Sequence, residues 1–294
     1  MAWHGLALAL PRAFCFFSSM GGALSVTFWG VRGSIACPGH SYERYGGNTS
    51  CLEMRCGEDI LIFDAGTGLR PLGQHLKTQG PLDMDIFLTH THLDHVVGIP
   101  FFKPLFDPAN KVRIWGGHLL PEARVRDAVC AMMVAPLFPV PVEIFSAVTR
   151  FNDFTAGDTL HPKPGVKVRT ARLNHPNGAT GYRVEYAGKS ICYVTDTEHR
   201  PGEHDANILA LIEGADLLIY DSTYTEEEYP HYLGWGHSTW REGLTLAEAA
   251  GVKTFVAFHH DPSHDDAAMD AMAAALEKAR PGSLVAREGM TLQP

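Results

Sequence analysis

The chain has 294 residues, 45% of them hydrophobic and 19% charged, enough to bury a large core in one big domain or two fused halves. Its formal net charge of −9 argues against a large polyanion as the main partner but leaves room for a small phosphorylated substrate. Cys15, Cys37, Cys51, Cys56, Cys130 and Cys192 are scattered with no Cys-x-x-Cys pair, which excludes a disulfide framework and reads as reduced, mostly buried thiols of a cytoplasmic protein.

The N-terminal segment stands apart. Met1 to Gly22 is apolar and nearly uncharged, with Pro11 and Arg12 in its middle. A secretory signal places basic residues ahead of an unbroken apolar core, and here Arg12 comes too late. The apolar run is also too short to span a bilayer. Residues 1–22 therefore read as a disordered tail or a mis-assigned start, with Met20 as the true first residue, and residues 23–294 as one domain without a membrane partner.

Ser25 to Gly30 alternates as a half-buried strand does, and Thr49 to Arg55 and Asp59 to Phe63 follow as two more. Cys51 falls on the second of these and Cys56 directly follows it, and the two could form a strand-face pair. Gly46-Gly47-Asn48-Thr49 is a tight polar turn between the first two strands. Arg32 and Asn48, each in a turn near a strand end, are candidate substrate contacts. Asp64 closes the third strand ahead of a helix from Leu69 to Lys77. It has two readings: it orients a metal-binding histidine from behind, or it caps the turn.

Asp85 to Leu88 is predicted to be a buried strand, and it runs into Thr89-His90-Thr91-His92-Leu93-Asp94-His95. At the two-residue period of extended chain, His90, His92 and Asp94 point to one side, and a turn at Leu93-Asp94 swings His95 toward the same space. Imidazole and carboxylate suit zinc, manganese or iron rather than calcium. These donors exceed what one open catalytic metal takes from a single segment, which predicts two metal ions side by side.

Beyond the motif, Lys111 to Trp115 reads as a strand and Pro121 to Met133 as a helix. Residues 134–165, rich in Pro and Phe, read as packed irregular chain or a lid over a pocket. Strands resume at Val166–Leu173, Gly181–Tyr186, Ser190–Thr195 and Leu217–Tyr220, interleaved with helices near Asp205–Glu213, Thr239–Ala250 and Asp265–Arg280. Two clusters of strands with helices between fit an α/β fold of two sheets packed face to face.

His90-x-His92-x-Asp94-His95 resembles the signature of the metallo-β-lactamase superfamily. The resemblance implies a four-layer αββα sandwich with metals at one edge, where strand ends meet. It also implies the remaining donors: His175 in Leu173-Asn174-His175-Pro176, Asp196 in Thr195-Asp196-Thr197, and His259 in Phe258-His259-His260-Asp261-Pro262. On that pattern His90, His92 and His175 hold one metal, Asp94, His95 and His259 hold the other, and Asp196 bridges them. His259 is chosen over His260 because it holds the strand-terminal place, and His260 is left behind the ligands or against substrate. The implied cofactors are two divalent ions, zinc first, with manganese or iron suiting the same donors.

Asp221-Ser222-Thr223-Tyr224, Gly236-His237-Ser238-Thr239 and the helix carrying Ala247 to Val252 resemble the corresponding run of ribonuclease Z and the related cyclic phosphodiesterases. Leu173-Asn174-His175 with Gly181 to Glu185 looks like the branch that opens phosphoribosyl cyclic phosphates. This implies hydrolysis of a small cyclic phosphodiester, a cyclic nucleotide or ribose cyclic phosphate, by a hydroxide bridging the metals. Asp94 would hold the attacking water or take its proton, and His237, supported by Asp221, would contact substrate and protonate the leaving oxygen. The alternative for His237 is a polar residue at the start of the next helix. tRNA-processing members carry a protruding arm, and no Gly/Pro-hinged basic insertion of that kind is present. Nucleic acid is therefore not the expected partner, and tRNA 3′ processing and thioester or lactone hydrolysis are the alternatives. The branch often forms dimers, so a homodimer accords with the resemblance.

Overall fold

The computed structural model describes residues 22–294, so the reading of the first 21 as a tail or mis-assigned start falls outside it. Strand β1 (Leu24–Gly30) buries every second residue, as its alternation predicts. It pairs antiparallel with β2 (Cys51–Cys56), which pairs antiparallel with β3 (Asp59–Phe63). The chain then crosses over through α1 (Leu69–Leu76) to β4 (Asp83–Leu88), through α2 (Leu93–Val96) to β5 (Lys111–Gly116), and through α3 (Val125–Met132) to β6 (Val148–Asp153). Such crossovers allow β3 to β6 to run parallel.

The second sheet repeats the plan. Strands β7 (Thr159–Leu160), β8 (Lys167–Leu173), β9 (Ala179–Tyr186) and β10 (Lys189–Val194) are antiparallel neighbours. Helix α4 (Ala206–Ile212) then leads to β11 (Leu217–Asp221), α5 (Trp240–Ala249) to β12 (Thr254–Phe258), and α6 (Asp266–Ala279) to β13 (Leu284–Val285). Strands β10 to β13 are parallel, and β14 (Thr291–Leu292) returns to the first sheet beside β1.

Three apolar layers hold these elements. Val26, Phe28, Phe63 and Phe87 of one sheet meet Tyr182, Val184, Tyr193 and Phe258 of the other. Leu69, Leu72, Val125 and Val129 cover the outer face of the first sheet, and Leu211, Leu244, Met269 and Leu276 cover that of the second. This is the expected four-layer αββα sandwich. The central layer also reaches the strand ends: Tyr182 donates its hydroxyl to the Leu88 carbonyl at 2.5 Å, and Tyr193 donates to Asp64 Oδ2 at 2.8 Å.

Two expectations are corrected here. Residues 134–165 contain β6 and β7, which take edge positions in the first and second sheets respectively. None of the residues of β6 is fully buried, so its sequence lacks the apolar alternation that marks a strand with a buried face. Cys51 and Cys56 cannot pair, because an odd spacing along β2 turns them to opposite faces, one toward the helices and one between the sheets. All five described cysteines are free thiols. No described helix is long and apolar enough to cross a membrane.

Candidate metal centre

The motif residues and their counterparts leave the carboxyl ends of strands in both sheets, the end at which parallel sheets expose loops for ligands. Asp64, Asp196 and His259, which follow β3, β10 and β12, all take a left-handed backbone, with φ of 60°, 60° and 64°. That conformation costs an L-residue about 1–2 kcal/mol. At these strand ends Asp196 and His259 supply donors to the centre, and Asp64 stands behind one of its histidines.

His90, His92 and His175 bring donor nitrogens within 4.8 Å of one another, and Asp94, His95 and His259 form a second such trio. Asp196 lies between them. Its Oδ1 is 3.8 Å from His90 Nε2 and 3.7 Å from His175 Nε2, while its Oδ2 is 3.3 Å from His95 Nε2 and 3.4 Å from His259 Nε2. One carboxylate thus presents an oxygen to each trio.

The far side of four of the five rings is engaged. His175 Nδ1 donates to the Gly236 carbonyl at 2.8 Å, and His95 Nδ1 lies 2.9 Å from Asp64 Oδ2. His259 Nδ1 is 3.0 Å from Thr223 Oγ1, and His90 Nδ1 is 3.1 Å from Thr89 Oγ1. Such partners fix ring orientation and leave Nε2 directed at the centre. Of the two readings of Asp64, its geometry gives the one behind a histidine.

Burial opposes charge on Asp94 and Asp196, but the neighbouring histidines outweigh it and hold both carboxylates below their ordinary range. His90 is pushed well below its usual value, first by burial and then by His95. Its Nε2 is buried without a hydrogen-bond partner. Elsewhere ring nitrogens face each other, His92 Nδ1 and His175 Nε2 at 3.1 Å, and the Nε2 atoms of His95 and His259 at 3.4 Å. Burial opposes charge on His95, but without a cation the carboxylates raise it well above its usual value. Once neutral, each imidazole offers one lone pair, so the converging rings and ionised carboxylates make a donor set that fits divalent cations.

His237 borders both trios. Its ring stacks on His259 with centroids 4.9 Å apart, and its Nδ1 is 3.0 Å from Asp221 Oδ2. Burial lowers its pKa, but the charge and hydrogen bond of Asp221, with Asp196 and Asp94 beyond, raise it to about 9. Asp221 is fixed in turn by the backbone N–H groups of Asp196 and Thr223 and by the Thr223 hydroxyl. With Nδ1–H on Asp221, the protonated ring has its Nε2–H to give.

Arg32 and Asn48 do not stand where substrate contacts were expected. Arg32 is fully buried, with Nε on the Gly46 carbonyl and Nη1 on the carbonyls of His264 and Asp261. Asn48 gives its backbone N–H and side-chain amide to the Glu288 carboxylate. Both brace turns. His260 likewise bonds the Ala286 carbonyl, and it is His259 that enters the centre.

Residues 60–260 match the family model of the β-lactamase superfamily domain. The chain belongs to the metallo-β-lactamase superfamily. Among superfamily relatives it is similar to the Ribonuclease Z of Haloarcula marismortui, 24% identical over 283 aligned positions, gaps included, that take in 80% of this chain and 86% of the relative. The solved structure of a diphosphatase from the PhnP family superposes with a TM-score of 0.69 at 17% identity, covering 92% of this chain and 98% of its own. The human short-form tRNase Z superposes with a TM-score of 0.63 at 22% identity, again over 92% and 98%. Superfamily membership places the chain among metal-dependent hydrolases.

The superfamily motif led to the histidines but not to what holds them. Thr89, Thr223 and the Ser34 N–H, which donates to Asp94 Oδ2 at 2.8 Å, were passed over in the sequence. Thr223 lies inside the quoted Asp221-Ser222-Thr223-Tyr224 run, where a hydroxyl two residues after an aspartate was a usable signal. Ser34 offers only a backbone N–H, for which no side-chain signal exists.

Proposed function

We propose that the chain is a metal-dependent phosphodiesterase in which His237, held by Asp221, protonates the leaving oxygen. The observation that carries this reading is the buried His237–Asp221 ion pair set against both donor trios. A phosphodiester expels an alkoxide, a poor leaving group that needs a proton in the transition state, and an imidazolium is suited to give it. His90, His92 and His175 would hold one divalent cation, and Asp94, His95 and His259 a second, with Asp196 shared. Bound there, divalent cations lower the pKa of water and offset the charge of the phosphate. Asp94, kept ionised and anchored by the Ser34 N–H, is placed to accept the proton of the attacking water.

Two substrate classes share that bond. The name Ribonuclease Z, borne by relatives that take in four-fifths of this chain, favours an RNA 3′ end. It stands against the two grounds on which nucleic acid is not expected, the missing basic insertion and the net acidity, and it outweighs the second because a net charge does not describe the charge at a site. One observation favours a small cyclic phosphodiester. The match to the Haloarcula enzyme runs over 283 positions yet uses 80% of this chain, so that enzyme carries residues within the matched span that this chain lacks.

Turnover of the metal-loaded protein on bis-p-nitrophenyl phosphate, 2′,3′- and 3′,5′-cyclic nucleotides, ribose 1,2-cyclic phosphate, a pre-tRNA and a thioester tests the reading. Cleavage of pre-tRNA alone assigns RNA processing, and selective opening of one cyclic phosphate assigns the small substrate. Thioester hydrolysis with no phosphodiester cleaved overturns the role given to His237.

A further inference from the structure

Trp235 has no part in the chemistry above, yet it sits one residue ahead of Gly236-His237 with 63% of its surface exposed. Leaving an indole in water forgoes the burial of one of the largest apolar side chains. The loop does not leave it there by looseness. Gly234 and Gly236, on either side, take φ of 86° and 88°, and both donate their N–H to Glu198 Oε2 at 2.8 Å. The Trp235 N–H bonds the Tyr232 carbonyl at 3.1 Å. A Cβ on Gly236 would fall 2.2 Å from His175 Nδ1, so this clamped turn is packed directly against a donor of the centre.

The indole also ends an aromatic row. The His237 ring meets Tyr224 at 5.9 Å and 80°, Tyr224 stacks on Tyr232 at 4.5 Å and 7°, and Tyr232 meets Trp235 at 5.4 Å and 83°. Among the described residues, Tyr232 is the one aromatic ring against Trp235, and the rest of the indole stays open. The row therefore runs from the acid beside the centre to a largely exposed indole on a clamped turn.

We infer that Trp235 is the platform on which the nucleobase of the nucleotide bearing the leaving oxygen stacks. The inference rests on the phosphodiesterase reading, which puts His237 at that oxygen. Trp235 and His237 lie two residues apart on one turn, and the aromatic row joins their rings. Every base presents a π-face, so such a platform accepts bases without reading their edges. A base-free ribose phosphate would leave it bare. The substrate narrows to base-bearing phosphodiesters, whether free cyclic nucleotides or an RNA end.

The test compares kcat and KM of the metal-loaded wild type, Trp235→Ala and Trp235→Phe on 2′,3′-cyclic AMP, a short RNA with a 3′ trailer, and a base-free ribose cyclic phosphate. Trp235→Ala is expected to raise KM on a base-bearing substrate about 10- to 100-fold more than on the base-free one, and Trp235→Phe to recover most of the loss. Which base-bearing substrate suffers tells an RNA end from a free nucleotide. Equal losses with and without a base overturn the platform while leaving the reaction standing. Binding of AMP, followed by quenching of tryptophan fluorescence, gives a readout free of turnover. Quenching in wild type but not in Trp235→Phe supports stacking even where no phosphodiester is cleaved, an outcome that defeats the reaction instead. Equal quenching in both proteins overturns the platform.

Discussion

A histidine held near pH 9 keeps its proton at neutral pH, and that sets what His237 can contribute. In the acid role proposed for it, it would be competent below about 9 and fail as pH rises through that value, so turnover on a poor leaving group should show an alkaline limb. Bound cations repel an imidazolium and move the limb below 9 without reversing its sign. Asp221→Asn removes the leading upward influence and should shift the limb to lower pH still, measurable as a pH profile of kcat/KM. By linkage the same raised pKa stabilises the fold fully below the unfolded value of about 6.5, and that contribution is lost as pH climbs through about 9. His237→Ala should lower turnover of an alkyl phosphodiester about 10²- to 10⁴-fold and that of a p-nitrophenyl ester far less. Equal losses on both would remove the acid role. Gly236→Ala tests the neighbouring contact. Its Cβ collides with His175, so the variant should bind less metal by mass spectrometry of the native protein, and unchanged metal content would show that the loop can yield.

At the scale of elements, the centre depends on how strands end. β4 hands its carboxyl end to the motif, and the Tyr182 hydroxyl, reaching across from β9, holds the last carbonyl of that strand. Tyr182→Phe leaves the buried Leu88 carbonyl without its partner and should lower stability by about 1–3 kcal/mol, seen as a shift in the urea midpoint at constant slope. The first sheet was readable where one face is buried: β1 alternates, and the apolar run of β4 announces a strand covered on both sides. β6 was not readable, because an edge strand with partly exposed residues carries no period to detect. The site divides in the same way. Clustered histidines are conspicuous in any context, whereas Arg32 in a turn looks the same whether it meets a substrate or three backbone carbonyls. The left-handed φ of Asp64, Asp196 and His259 also leaves no trace in composition, since glycine, the residue that would signal it, is absent from those positions.

Across the whole molecule, neither sheet carries a complete set of donors. The loop after β4 brings His90, His92, Asp94 and His95, while His175, Asp196 and His259 follow β8, β10 and β12. Asp196→Ala removes the carboxylate that faces both trios and should yield fewer than two metals per chain; a variant that still holds two would end its bridging assignment. A cation held by donors from both sheets would also tie one sheet to the other. By mass action a ligand at a hundred times its Kd stabilises the folded state by about 2.7 kcal/mol, so Tm should fall in step with added chelator. Unfolding of even a few kcal/mol is felt in living cells as turnover by proteases. A chain short of cation would then be opened and degraded sooner, and its abundance, as well as its activity, would follow the metal supply.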